Sequence, residues 1–106
     1  MYQITPALLQ EITKRLVDGL RPQKIILFGS RAWGKASETS DVDLLVIVSD
    51  SRERPARRAM KAHRLMDGIP VPLDILVKTL KEVEKYRHLP SSLENQILKN
   101  GKVLYG

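Results

Sequence analysis

The chain has 106 residues, 42% of them hydrophobic and 28% charged, the proportions of a folded globular protein with room for one core and not for a second of independent size. It has no cysteine, which excludes disulfides and thiolate metal sites. The longest apolar run, Leu44 to Val48, is too short to cross a bilayer, and with no basic-then-apolar pattern at the N-terminus a cytoplasmic location with no membrane contact is expected. Net charge is +6, and six of the eighteen basic residues crowd between Arg52 and Arg64. That run reads as a solvated helix face, or as a surface for an acidic protein or a nucleic acid.

Thr5 followed by Pro6 is a helix-start signal. Ile4, Leu8, Leu9, Ile12, Leu16 and Leu20 then fall on one face, so a helix is expected from about 6 to 19, punctuated by Gly19 and Pro22. Lys24 to Phe28 is short, apolar and β-prone, a buried strand ended by Gly29. A helical turn is expected over Ser30 to Trp33 and a loop over Gly34 to Ser40. Asp41 to Val48 reads as a central strand, apolar on both faces beyond Asp43. Arg54 to Met66 is helix-like, with Ala56, Ala59, Met60, His63 and Met66 as its less polar stripe. Val71 to Val77 makes a third strand with Pro72 near its start. Thr79-x-x-Glu82 and Ser91-x-x-Glu94 have capping-box spacing and open two C-terminal helices, the second closed by Gly101, after which Lys102 to Tyr105 adds an edge strand. The expected fold is α/β, a small mixed sheet with flanking helices in a single domain over 1–106.

Two phosphate-binding patterns start at the same glycine. Gly29, Gly34 and Lys35 match G-x-x-x-x-G-K, but the next residue is Ala36 where magnesium needs a hydroxyl, and a strand follows where a long helix should. The alternative pairs Gly29 with Ser30, then ten residues, Arg31 to Ser40, then Asp41-x-Asp43. Residues two apart on a strand share a face, which sets Asp41 and Asp43 about 6–7 Å apart. With Asp74 on a neighbouring strand, such carboxylates repel by roughly 3 kcal/mol per pair at about 5 Å and an effective dielectric of about 20. Oxygen ligands without His or Cys favour Mg²⁺ or Mn²⁺. The bland alternative is a turn glycine and a strand-start pair of solvent-facing aspartates, which leaves Asp74 within an apolar strand unexplained.

This pattern resembles the GS-x10-DxD signature of the minimal nucleotidyltransferase (MNT) family of the DNA polymerase beta superfamily; Asp74 on the following strand and the helix before the first strand extend the likeness, as does the compact length. The resemblance implies a nucleotidyltransferase fold and an enzyme moving AMP from ATP to a hydroxyl. Asp41 and Asp43 would hold two Mg²⁺ ions. Asp74 would bind the catalytic one and help deprotonate the acceptor, and Gly29 and Ser30 would hold the β- and γ-phosphates. Arg31 would help on the triphosphate, or else pair with Asp50 or Glu38. Minimal members include MntA-type antitoxins encoded beside a HEPN-domain toxin ribonuclease, which they neutralise by AMPylating a tyrosine. The basic run from Arg54 to Arg64 would then belong to the docking face. The competing class is a binding module, either a non-catalytic antitoxin that masks its partner or a basic adaptor for nucleic acid, although one Phe, one Trp and three Tyr give no stacking platform.

Several residues carry weaker readings. Arg58 and His63 fit R-x4-H, a spacing associated with the HEPN toxins, yet His63 sits near the apolar stripe, where packing is the commoner role. His88 beside Pro90 reads as a surface or capping residue. Trp33 is a core residue or the flank of a nucleotide base, and Tyr2, Tyr86 and Tyr105 are candidate self-modification sites.

Overall fold

A computed structural model describes residues 4–32 and 41–106. Trp33, Gly34, Lys35, Ala36, Glu38 and Tyr2 lie outside the described residues.

Helix α1, Pro6–Leu20, starts as its sequence dictates: the Thr5 hydroxyl accepts the Leu8 N–H at 3.1 Å and Pro6 takes the first helical position. It runs through Gly19 and ends at Arg21, which takes the left-handed conformation at φ 48°. Gly19 serves packing instead of termination, since a Cβ there would overlap the Leu65 side chain. Strand β1, Lys24–Phe28, pairs antiparallel with β2, Val42–Val48, which pairs in parallel with β3, Leu73–Thr79. Helix α2, Pro55–Leu65, makes the β2-to-β3 crossover; α3, Leu80–Tyr86, and α4, Leu93–Asn100, lead into β4, Lys102–Tyr105. The sheet order is β3-β2-β1-β4, which leaves β3 and β4 at the edges. This is the mixed sheet with flanking helices expected from the sequence. Among the described residues no helix is long and apolar enough to cross a membrane.

The two-residue alternation of the strands divides the core. Ile25, Leu27, Val42, Leu44 and Val46 face α1 and α2, packing on Ile12, Leu16, Ala62 and Met66. Ile26, Phe28, Leu45 and Ile47 face the other way onto Val83 of α3 and Ile97 of α4. Asp43 belongs by alternation to this second face, in register with Phe28, and is half-buried.

The expected stripe of α2 holds at Met66, which is buried, and at Ala59, which is half-buried, and is corrected at the other positions. Arg58 and Ala62 turn inward, while Met60 is 53% exposed and His63 is exposed. Arg58 is buried because its guanidinium finds acceptors on several sides. It donates to Glu53 O at 3.0 Å, Val77 O at 3.0 Å, and the Glu82 carboxylate at 2.6 and 3.1 Å. Glu82 also closes the Thr79 capping box, accepting the Thr79 N–H at 2.8 Å. The R-x4-H spacing is therefore structural, its arginine inside and its histidine outside. At the second capping signal Ser92 replaces Ser91, accepting the Asn95 N–H at 3.0 Å. Glu94 instead turns into the fold and pairs with Lys78 at 2.5 Å, tying α4 to β3.

The Arg58 guanidinium, with help from the Thr79 N–H and hydroxyl and against some burial, lowers the Glu82 carboxyl from its ordinary 4.5 to about 2. A carboxyl depressed on folding stabilises fully above its unfolded value and loses that contribution as pH falls toward the folded one. Stability should thus fall as pH drops from 4.5 toward 2. Arg58→Met should flatten that slope and lower neutral-pH stability by about 2 kcal/mol, less than for a fully buried pair because Glu82 keeps solvent contact. Urea unfolding of both proteins across this pH range checks both effects.

Candidate active site

Three chain segments meet at one end of the sheet: the C-terminal end of β1 and the N-terminal ends of β2 and β3. Phe28 registers with Asp43 across β1 and β2, and Asp43 registers with Asp74 across β2 and β3. Residues in register on neighbouring strands share a face and sit about 5 Å apart. Asp41 lies just before β2, two residues from Asp43. On the second sheet face Leu45 and Ile47 pack with Val83 of α3 and Ile97 of α4, and Asp43 continues the same row toward the start of β2.

Burial first, then the carboxylates of Asp74 and Asp41, push the Asp43 carboxyl up from its ordinary 3.8. Both neighbours thus act on Asp43 through space. Asp41 and Asp74 are exposed and Asp43 is half-buried. The charges that move the Asp43 carboxyl are both negative. The structure brings the predicted aspartates together and leaves Asp43, at their centre, under repulsion from both sides.

Gly29 ends β1 at φ +76°, and the turn behind it closes with the Ala32 N–H donating to Gly29 O at 3.1 Å. Such a φ favours glycine on its own account. A second requirement was missed in the sequence: a Cβ at Gly29 would collide with the Asp43 carboxylate. The bare glycine makes room for the aspartate as well as for any phosphate. A spacing motif contains both residues without revealing that they touch. Ser30 and Arg31, both half-buried, occupy the turn that follows. Asp50, weighed as a partner for Arg31, lies past the opposite end of β2, where it accepts the Ser51 N–H at 2.8 Å. Glu38 is outside the described residues.

The donor set fits a hard divalent cation: oxygen ligands only, and mutually repelling. Among the described residues no three acidic or histidine side chains stand close enough to form a finished ligand shell. The carboxylates gather at one sheet end without closing into a cage.

The Walker reading fails on topology, because the chain enters β2 at Val42 instead of a helix. Tyr105, paired with Ile25 at the start of β1, lies at the sheet end remote from the carboxylates.

The family model for Polymerase beta, Nucleotidyltransferase matches residues 10–106. Comparison with curated proteins finds no match. Among solved structures, a toxin-antitoxin with AMP-PNP is 28% identical over 92% of this chain and 73% of that chain, with a TM-score of 0.67. The toxin-antitoxin MntA-HepT is 25% identical over 96% of this chain and 73% of that one, with a TM-score of 0.63. A protein of Sulfolobus solfataricus assigned as a nucleotidyltransferase is 21% identical over 93% and 78% of the two chains, with a TM-score of 0.67, and at that identity shares the fold alone.

Proposed function

The chain belongs to the polymerase beta nucleotidyltransferase family, and on that basis we propose that it transfers AMP from ATP to a protein hydroxyl, a tyrosine of a cognate HEPN-domain toxin that it neutralises as an antitoxin. The observation that carries this reading is the mutually repelling set of Asp41, Asp43 and Asp74 beside Gly29 at one sheet end. The partner is supported by the toxin-antitoxin relatives at 25% and 28% identity, one with the ATP analogue AMP-PNP.

In the reaction the acceptor oxygen bonds to the α-phosphorus, the bond from that phosphorus to the bridging oxygen breaks, and pyrophosphate leaves. Asp74 takes the hydroxyl proton. Gly29 and Ser30 hold the β- and γ-phosphates through the backbone amides of the turn, and the Ser30 hydroxyl adds a donor. Arg31 approaches the same phosphates. Asp41, Asp43 and Asp74 are the residues that would hold two Mg²⁺ ions, which supply charge neutralisation to the triphosphate. The protein's share is positioning, as in phosphoryl transfer generally. One nucleotidyltransferase domain over 1–106, working in the cytoplasm, is part of the same reading.

The test is transfer from ATP labelled at the α- or the γ-phosphate, with Mg²⁺ and the purified cognate partner. Nucleotidyl transfer puts the α-label on the partner and the γ-label in pyrophosphate. A γ-labelled partner would mean phosphorylation and would overturn the reading.

A further inference from the structure

Helix α2 turns Arg58 and Ala62 inward and presents two parallel rows outward. One row is cationic: Arg57, Lys61 and Arg64, at spacings of four and three residues, span roughly 10 Å of the helix. The other is apolar: Ala56 and Met60, four residues apart, with Met60 53% exposed. The helix, PARRAMKAHRL, contains no acidic residue. At its start, Arg52, Arg54, Arg57, Ala56 and Met60 line a shallow open hollow together with Glu53. The Glu53 charge is already taken by Lys61 at 2.5 Å. Among the described residues Arg52, Arg54 and Arg57 make no ion pair, and Arg64 reaches only the Met60 sulfur at 3.5 Å.

We infer that this face docks an acidic amphipathic helix of a partner protein, its carboxylates along Arg57 and Arg64 and an apolar side chain in the hollow over Met60. Charge complementarity selects an acidic occupant, since the surface repels anything basic. The Met60 row selects a protein over a nucleic acid. A phosphate backbone gains nothing from burying a thioether, whereas Met beside Arg is the composition of protein interfaces. An acidic helix also repeats its carboxylates every three or four residues, matching the spacing of the cations. No aromatic residue lies on the helix to stack a base. The surface belongs to the α1 and α2 side of the sheet, and Asp43 to the other side. Docking and nucleotidyl transfer are therefore separable, and this face can hold a partner whether or not AMP is transferred.

The probe is a fluorescein-labelled helical peptide with Glu at positions i, i+4 and i+7 and Leu on the adjoining row, titrated with the full chain and followed by anisotropy. Saturable binding is expected, weakened more than about tenfold by Arg57→Glu/Arg64→Glu and about threefold or more by Met60→Ser. Lys81→Glu/Lys99→Glu, the same charge change elsewhere on the surface, should leave it within about twofold. Far-UV circular dichroism confirms that each variant is folded. An RNA duplex of about 16 base pairs is titrated in parallel. No saturable peptide binding, equal losses in both charge-reversal pairs, or RNA binding at least as tight as the peptide with Met60→Ser without effect would each overturn the inference.

Discussion

Asp43→Asn is expected to raise the melting temperature while abolishing transfer. Burial and the carboxylates of Asp74 and Asp41 push the Asp43 carboxyl above its ordinary 3.8. A carboxyl raised on folding stabilises the fold while protonated and penalises it once ionised, so stability is lost as pH rises from the unfolded value through the folded one. Above the folded value the penalty is present, and asparagine, nearly isosteric and uncharged, removes it. The same change deletes the carboxylate at the centre of the acidic row, so transfer should fall on the order of a thousandfold, about 4 kcal/mol of transition-state stabilisation. Added Mg²⁺ should raise the wild-type melting temperature by mass action and leave that of Asp43→Asn nearly unmoved. Thermal unfolding at neutral pH, with and without Mg²⁺, checks the stability side, and single-turnover labelling checks the other. A melting temperature lowered by Asp43→Asn would mean that the carboxylate is a structural anchor instead of a tolerated strain.

Gly29→Ala is the second large effect, and its cause is steric. At φ +76° an alanine is strained by about 1–2 kcal/mol in backbone terms alone. Its Cβ would also overlap the Asp43 carboxylate, which has to rotate away from its place in the row. The expected outcome is a chain that still folds, less stable by about 1–3 kcal/mol, with transfer reduced at least about a hundredfold because a shift of about 1 Å in a reacting group is enough for that. Gly68 supplies the control. It has a similar φ of +83° and nothing within 4 Å of an added Cβ. Gly68→Ala should therefore show the backbone strain without the loss of transfer, and assaying the two variants side by side separates strain from displacement of Asp43.

Much of this was legible in the sequence because it rests on local rules. Thr5-Pro6 fixes the start of α1, the apolar run from Lys24 fixes β1, and Thr79-x-x-Glu82 fixes the start of α3. The spacing from Gly29 to Asp43 is a property of the linear chain and needs no strand pairing to be visible. What stayed hidden depends on contacts between segments distant in the chain. Arg58 is inside α2 because Glu82 and Val77, some twenty residues later, satisfy it, and a hydropathy pattern turns every arginine outward. Ser91-x-x-Glu94 has capping spacing, yet Ser92 caps α4 by accepting the Asn95 N–H, and Glu94 pairs with Lys78 of β3 instead of reaching back to the cap. β3 starts at Leu73 instead of Val71 because its pairing with β2 begins at Val42, while Val71 packs into the core ahead of the strand. The contact between Gly29 and Asp43 belongs to the same class: both residues were identified, and only their register across β1 and β2 reveals that they need each other.

If Asp41 and Asp43 drive transfer of AMP to the partner, the decisive assay is α-labelling with ATP, Mg²⁺ and the cognate partner, run with wild type and with Asp41→Ala/Asp43→Ala. One labelled tyrosine on the partner is expected with wild type and none with the double variant, which should fold and bind the partner as before. Equal neutralisation of the partner by both proteins without label would contradict the enzymatic role and leave a masking module in place of an enzyme.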